Sequence, residues 1–196
     1  MAKLSFRYGA MNSGKSTILM QIAYNFEENS KKVLLLKSNI DTKGEDKLVS
    51  RIGLERKVDI LLTKDATLFN CDYLQKIKNV DALLVDEAQF LKESQVEELW
   101  VIAKELDIPV LCYGLKTDFT SHTFKGSKRL LELADELIEL TTICNECGKK
   151  ARFNARKVAG EYVENGSQVV IDGSTDTLYV SLCGKCYLEK VLKKKL

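Results

Sequence analysis

Proline occurs once in this 196-residue chain, at Pro109, and histidine once, at His122. His122 sits in a polar turn and is assigned no role, so acids, lysines and cysteines must carry any chemistry. No apolar run approaches the roughly 20 residues that a membrane span needs, which excludes a transmembrane helix. Met1-Ala2-Lys3 leads straight into a first strand, with no signal-peptide pattern. The net charge is only +2, too balanced to point to nucleic acid or a membrane surface. Lys193-Lys194-Lys195 reads as a solvated tail. Internal repeats and low-complexity segments are absent. With 45% hydrophobic and 30% charged residues, the chain suits one medium α/β domain with a small appendage. The expectation is an intracellular, cytoplasmic protein without membrane or nucleic-acid partners. Its six cysteines then point to metal or free thiols rather than disulfides.

The most informative segment is Gly9-Ala10-Met11-Asn12-Ser13-Gly14-Lys15-Ser16, which satisfies G-x-x-x-x-G-K-[ST] at every fixed position. Leu4 to Tyr8 reads as a strand leading into it. Ser16 to Phe26 places Ile18, Leu19, Ile22, Ala23 and Phe26 on one helix face. In that setting backbone N–H groups and the helix dipole can surround phosphate oxygens. Lys15 can reach the β- and γ-phosphates, and the Ser16 hydroxyl can ligate Mg²⁺.

Further strands are expected at Lys32–Leu36, Val58–Leu62, Val80–Val85, Val110–Tyr113 and Leu137–Thr141. Lys37 to Gly53 has no fitted period and reads as a loop ending in a short helix. Ser94-Gln95-Val96-Glu97 reads as a capping box. It opens a helix with Val96, Leu99, Trp100, Ala103 and Leu106 on one face. Pro109 stands where a strand begins. A further amphipathic helix is expected from Ser127 to Ala134. Strands alternating with helices predict a P-loop NTPase-like α/β fold, a mostly parallel sheet flanked by helices. Ligands then sit at the carboxyl ends of strands, where the phosphate loop and Asp86-Glu87 both lie. Asp86 suits Mg²⁺, and Glu87 suits proton removal from whatever attacks the γ-phosphate. Water as nucleophile would make an NTPase; an alcohol would make a kinase.

Beyond residue 142 the pattern changes to short strands, Ala151–Val158, Gln168–Ile171 and Leu178–Leu182, separated by turns at Gly160, Asn165-Gly166 and Asp172-Gly173. The expected division is a nucleotide-binding domain over 1–142 and a zinc-binding domain over 143–196. Cys144, Cys147, Cys183 and Cys186 form two C-x₂-C pairs suited to one tetrahedral, structural Zn²⁺. Thirty-five residues separate the pairs, more than the usual 15–20, so a long loop hangs from the knuckle. An iron–sulfur cluster and a redox dithiol are the other readings. Cys112 reads as core packing, and Cys71 is left over.

Together, G-x-M-x-S-G-K-S-T through Thr17, Asp86-Glu87-Ala88-Gln89-Phe90, the Y-G-L-x-T-D-F segment from Tyr113 to Phe119 and the four-cysteine knuckle resemble the thymidine kinases of the cytosolic/bacterial type. The resemblance runs from Phe6 to Tyr187. It implies transfer of the ATP γ-phosphate to the 5′-hydroxyl of thymidine or deoxyuridine, in nucleotide salvage. It also implies Mg²⁺, structural Zn²⁺, a homotetramer and feedback inhibition by dTTP. Carried over, Glu87 is the general base, with Lys15 beside it in catalysis. Gly9 to Thr17 with Asp86 and Gln89 hold ATP and Mg²⁺. Met11 lies near the thymine methyl, and Phe90, Leu115, Phe119 and Phe124 wall the base. Gln168, Val169, Val170, Ile171, Asp172 and Gly173 match a lasso loop that hydrogen-bonds thymine, and the small C-terminal domain is zinc-ribbon-like. Tyr179 closes the pocket, and Arg156 matches an arginine of the same domain.

Two stretches depart from the family. Asp41-Thr42-Lys43-Gly44 has lysine where an arginine is common, keeping the charge without the guanidinium fork. The lasso ends Ile171-Asp172-Gly173 rather than I-G-G, and its run to Tyr179 is about two residues longer.

Two rival readings have discriminating residues. A GTPase would read guanine with N-K-x-D; Leu115-Lys116-Thr117-Asp118 offers only half of it. A zinc-knuckle nucleic-acid adaptor would use Lys149, Lys150, Arg152, Arg156 and Lys157, a cluster equally compatible with a solvated strand face. Because the expected ATP contacts and the cysteines lie in different domains, losing a zinc ligand is expected to cost nucleoside affinity before ATP affinity.

Overall fold

A computed structural model describes residues 1–39, 46–168 and 176–194. Strand β1 (Leu4–Tyr8) runs through the phosphate loop into α1 (Lys15–Glu28) and back to β2 (Val33–Ser38). A hairpin of β3 (Lys47–Val49) and β4 (Glu55–Lys57) follows, then β5 (Ile60–Leu62) and α2 (Cys71–Ile77). Next come β6 (Ala82–Asp86), a single 3₁₀ turn over Ala88–Phe90, and α3 (Glu93–Glu105). β7 (Val110–Gly114), α4 (Lys125–Leu133) and β8 (Glu136–Glu139) complete the larger sheet.

That sheet is parallel throughout, in the order β5-β2-β6-β7-β1-β8. Alternate residues of each strand feed two cores, as a sheet covered on both faces requires. On one face Phe6, Leu34, Leu83, Val85 and Cys112 pack with Val96, Leu99 and Ile102 of α3 and Leu130 of α4. On the other, Leu35, Leu84, Leu111 and Tyr113 pack with Leu19, Met20 and Ala23 of α1. The mostly parallel, helix-flanked sheet read from the sequence is therefore present. Cys112 is fully buried in it, as its apolar strand suggested.

The C-terminal part is built of antiparallel pairs. β9 (Thr142–Ile143) meets β10 (Lys150–Ala151). β11 (Phe153–Val158) is flanked by β12 (Glu161–Val163) and β13 (Thr177–Leu182). A short helix, α5 (Gly184–Lys190), packs on that sheet through Tyr187, whose ring stacks on Phe153 at 5.0 Å.

Several local expectations are corrected. The stretch before Gly53 ends in β3 of a hairpin, not a helix, and the expected strand over Val58–Leu62 is confined to Ile60–Leu62. Helix α3 starts at Glu93, with Lys92 as its cap, so Ser94 does not cap it. Gln95 supplies the reciprocal bond: its Oε1 accepts the Lys92 N–H at 3.1 Å, and its Nε2 donates to the carbonyls of Thr63 and Ala66. The tertiary partners of Gln95 outweigh the local S-x-x-E pattern. Trp100 stays 37% exposed, and Ile102 takes its place in the core. Helix α2 is too short for a period to show; its local signals are Asn70, capping the Tyr73 N–H at 2.8 Å, Asp72 in the first turn and Lys76 in the last.

One carboxylate ties the sheet edge together. Asp135 accepts the Leu4 N–H at 2.7 Å and the Lys104 ammonium at 2.7 Å. The Lys104 bond, against some burial, holds the carboxyl below its ordinary range. Its stabilisation is therefore complete above the unfolded pKa of about 3.9 and is lost as pH falls toward the folded value. Asp135→Asn should cost about 1–2 kcal/mol at neutral pH. Thermal melts should show that gap at pH 7 and a smaller one near pH 3; an equal gap would remove the charge from the account.

Candidate active site

Three neighbouring strand ends converge. β7 lies between β1 and β6 in the sheet, so the phosphate loop, the Leu115–Phe124 loop and Asp86-Glu87 open at one edge. Gly14 caps α1 in the left-handed region, at φ 74°, where a side chain would be strained. It offers no side-chain cap, which leaves first-turn N–H groups for an anion. Lys15 is buried; its Nζ donates to the Ala10 carbonyl at 2.9 Å. Burial lowers its pKa, while the charges of Glu87 and Asp86 work the other way.

Ser16 Oγ donates to Asp86 Oδ2 at 3.2 Å. Burial, then the charge of Glu87, raises the Asp86 carboxyl well above the usual carboxylate range. A buried carboxylate facing a hydroxyl, with a second carboxylate beside it, is a hard-oxygen donor set that fits a divalent cation such as Mg²⁺.

Glu87 follows the last residue of β6 at φ 51°, an uncommon conformation for a side-chain-bearing residue and a cost of about 1–3 kcal/mol. The Gln89 amide sustains it. Its Nε2 donates to Glu87 and its Oε1 accepts the Leu115 N–H at 3.0 Å. A Cβ at Gly114 would sit 2.6 Å from that Oε1, so only glycine leaves room for the amide to cross. Gln89, expected among ATP contacts, is thus placed as a bridge between Glu87 and the loop after β7.

The apolar residues fall into two groups. Phe90 and Phe124 meet edge to face, with ring centroids 5.6 Å apart. The Ser127 hydroxyl holds the Leu115 carbonyl at 2.5 Å. Phe119 is buried under Arg156, whose guanidinium carbon stands 3.7 Å from the ring centroid. Arg156 also donates to the Ser167 and Asn165 carbonyls, at 2.9 and 3.3 Å. Tyr179 is its register partner on β13. Gln168 donates to Asp118 Oδ2 at 2.8 Å, which joins the start of the expected lasso to the loop after β7. Val169, Val170, Ile171, Asp172 and Gly173, like Asp41 to Gly44, lie outside the described residues.

Most of the residues that the rival readings need are engaged elsewhere. Asp118 is occupied by the Thr120 and His122 backbone N–H groups as well as by Gln168. Lys150 and Arg152 pair with Glu139, and Lys157 with Glu146, while Arg156 is buried.

The sulfurs of Cys144, Cys147, Cys183 and Cys186 lie within 4.8 Å of one another. A tetrahedral Zn²⁺ with bonds of about 2.3 Å needs sulfur separations near 3.8 Å, so the cluster fits zinc. Glu146, inside the first pair, is pulled down to about 2 by hydrogen bonds from Lys190 and Tyr162. It clips that turn to β12 and α5 at 2.6 and 2.8 Å.

Asn154, Ser181 and Thr142, each in direct contact with the phosphate loop, escaped sequence reasoning; Thr142 Oγ1 donates to the Asn12 carbonyl at 3.1 Å. Asn154 Oδ1 accepts the Met11 N–H at 2.8 Å, and the Ser181 hydroxyl donates to the Met11 carbonyl. A lone polar residue in an alternating strand gives no local signal of such a contact.

A phosphate loop on a parallel sheet, with paired acids at the next-but-one strand end, defines a P-loop nucleotide-binding protein built for phosphoryl transfer. The thymidine kinase family model matches residues 2–187, and the chain belongs to the thymidine kinase family. Its relatives include the thymidine kinase of Coxiella burnetii, 47% identical over 189 residues and covering 94% of each chain. The thymidine kinase of Enterobacteria phage T4 is 45% identical and covers 100% of both chains. That of Lactobacillus johnsonii is 44% identical, covering 93% of this chain and 94% of its own. Family membership implies phosphorylation of thymidine. Among the described residues no helix is long and apolar enough to cross a membrane.

Proposed function

We propose that this chain transfers the γ-phosphate of ATP to the 5′-hydroxyl of thymidine, and also of deoxyuridine, with Glu87 as general base. The observation that carries this is the Ser16–Asp86 contact at 3.2 Å with Glu87 beside it at the same strand end. Lys15 and the loop N–H groups hold the phosphates, and Lys15 meets the charge on the transferring group. The Glu87 carboxylate takes the hydroxyl proton as the nucleoside oxygen bonds to the γ-phosphorus and the bond to the β-phosphate oxygen breaks, leaving ADP. Ser16 and Asp86 would hold Mg²⁺, which when bound neutralises phosphate charge. The four cysteines would hold one structural Zn²⁺.

Phe90, Leu115, Phe119 and Phe124 line the nucleoside side of this reading. Residues 1–142 serve it as the nucleotide-binding unit, and 143–196 as the unit that covers the base, with Tyr179 and the segment 168–173. Family membership supports a cytoplasmic homotetramer inhibited by dTTP; light scattering and a dTTP titration test these two features directly.

ATP turnover with each nucleoside added in turn is the decisive assay. Thymidine and deoxyuridine should both be phosphorylated, because one methyl in an apolar pocket is worth only about 1–3 kcal/mol. Purine nucleosides should be poor acceptors, since a pyrimidine-sized pocket has no space for a second fused ring. Deoxyguanosine turnover as fast as that of thymidine would overturn the assignment.

A further inference from the structure

Asn154 on β11 and Ser181 on β13 are ladder partners, so their side chains stand together on one face of the C-terminal sheet. Both are buried, at 3% and 0% exposure. Between them they take both backbone groups of Met11: Asn154 Oδ1 accepts its N–H at 2.8 Å, and the Ser181 hydroxyl donates to its carbonyl. The phosphate loop is thus gripped from a sheet to which it does not belong.

The grip continues in two directions. Asn154 Nδ2 donates to the Thr117 carbonyl at 2.7 Å, reaching the loop that carries Leu115 and Phe119. Asn145, inside the first cysteine pair, holds Ser181 by both backbone groups, at 2.9 Å each. A continuous run of hydrogen bonds therefore leads from the cysteine knuckle through Ser181 to Met11.

The loop has need of such support. Asn12, next to Met11, is left-handed at φ 63°, a conformation that persists in a non-glycine residue only when its surroundings impose it. A loop held in shape before ATP arrives binds without meeting the ordering cost at that moment.

We infer that Asn154 and Ser181 are positioning residues that keep the phosphate loop in its ATP-binding form, so that the cysteine knuckle governs ATP affinity as well as nucleoside access. This rests on the reading of the loop as the ATP site. Neither residue touches the reacting atoms; both act through the Met11 peptide.

Calorimetric ATP titration of Ser181→Ala and Asn154→Ala tests it. Each variant should weaken ATP binding about tenfold, the scale of leaving one buried backbone group unpaired. The ATP KM should rise in step, with kcat at saturating ATP nearly unchanged, as for an interaction shared by ground and transition states. Zinc content should stay at the wild-type level. Wild-type ATP affinity in both alanine variants with zinc retained would overturn the inference. Hydrogen exchange on the wild-type chain needs no variant at all. The Met11 N–H should be strongly protected without nucleotide and should lose that protection when a chelator removes the metal. Fast exchange at Met11 in the metal-loaded chain would equally overturn it. A wild-type chain that bound no ATP would instead strike at the proposed function.

Discussion

Glu87→Gln should leave the fold and ATP binding intact and lower kcat by roughly 10²–10⁴-fold, the usual scale for loss of a general base. The structure says why the substitution is clean. An amide at this position still offers an oxygen to the Gln89 N–H₂ group, so the bridge from Gln89 to the Leu115 backbone survives. The left-handed backbone at φ 51° asks the same of glutamine as of glutamate. Removing the Glu87 charge also removes one of the influences that raise the Asp86 carboxyl, so Asp86 ionises more readily in the variant. What disappears is the carboxylate that accepts the 5′-hydroxyl proton. Steady-state kinetics at saturating ATP and thymidine, beside a nucleotide-binding isotherm, makes the check. An unchanged kcat would take Glu87 out of that role.

Cys183→Ser should be the most damaging change in the C-terminal part. It leaves three thiolates where the four-sulfur cluster fits a closed tetrahedral shell, and structural zinc sites contribute on the order of 10 kcal/mol to folding. The local cap is not the main loss, because a serine oxygen can still face the Cys186 N–H that Cys183 Sγ accepts at 3.5 Å. The expected results are lost zinc, a lower melting temperature and a raised thymidine KM. ATP affinity should fall as well. That last outcome differs from the expectation drawn from the sequence, in which the cysteines and the ATP contacts occupy separate domains. The bonds from Asn154 and Ser181 to Met11 link the two. Metal analysis and the two KM values decide it; a zinc-free variant with both KM values unaltered would reduce the knuckle to a remote clamp.

What was legible in the sequence shares one property: each signal is complete within a few residues. The phosphate loop is eight consecutive residues, each cysteine pair spans four, and Asp86-Glu87 closes an apolar run. The local chain geometry alone makes these arrangements useful, so the residue pattern is enough to name them. The alternation of strands and helices likewise carried the parallel sheet, since each element reports its own buried face. Where two local patterns competed, as at the start of α3, the choice fell to Gln95 and its distant carbonyl partners at Thr63 and Ala66.

The amino-acid sequence by itself determined the class of chemistry, the likeness to a kinase family, the parallel α/β frame and the four thiols suited to a metal ion. Only the tertiary structure decided how these parts are held to one another. Met11 lies 143 residues from Asn154 and 170 from Ser181, and Gln89 lies 26 from the Leu115 N–H it receives. The stacking of Arg156 over Phe119 is of the same kind. A lone polar side chain on a half-buried strand looks the same in sequence whether it faces water or a loop, because its partner is set by chain topology and not by its neighbours. Asn154 and Ser181 became part of the site when folding brought their sheet against Met11 and gave their buried polar atoms backbone groups to satisfy.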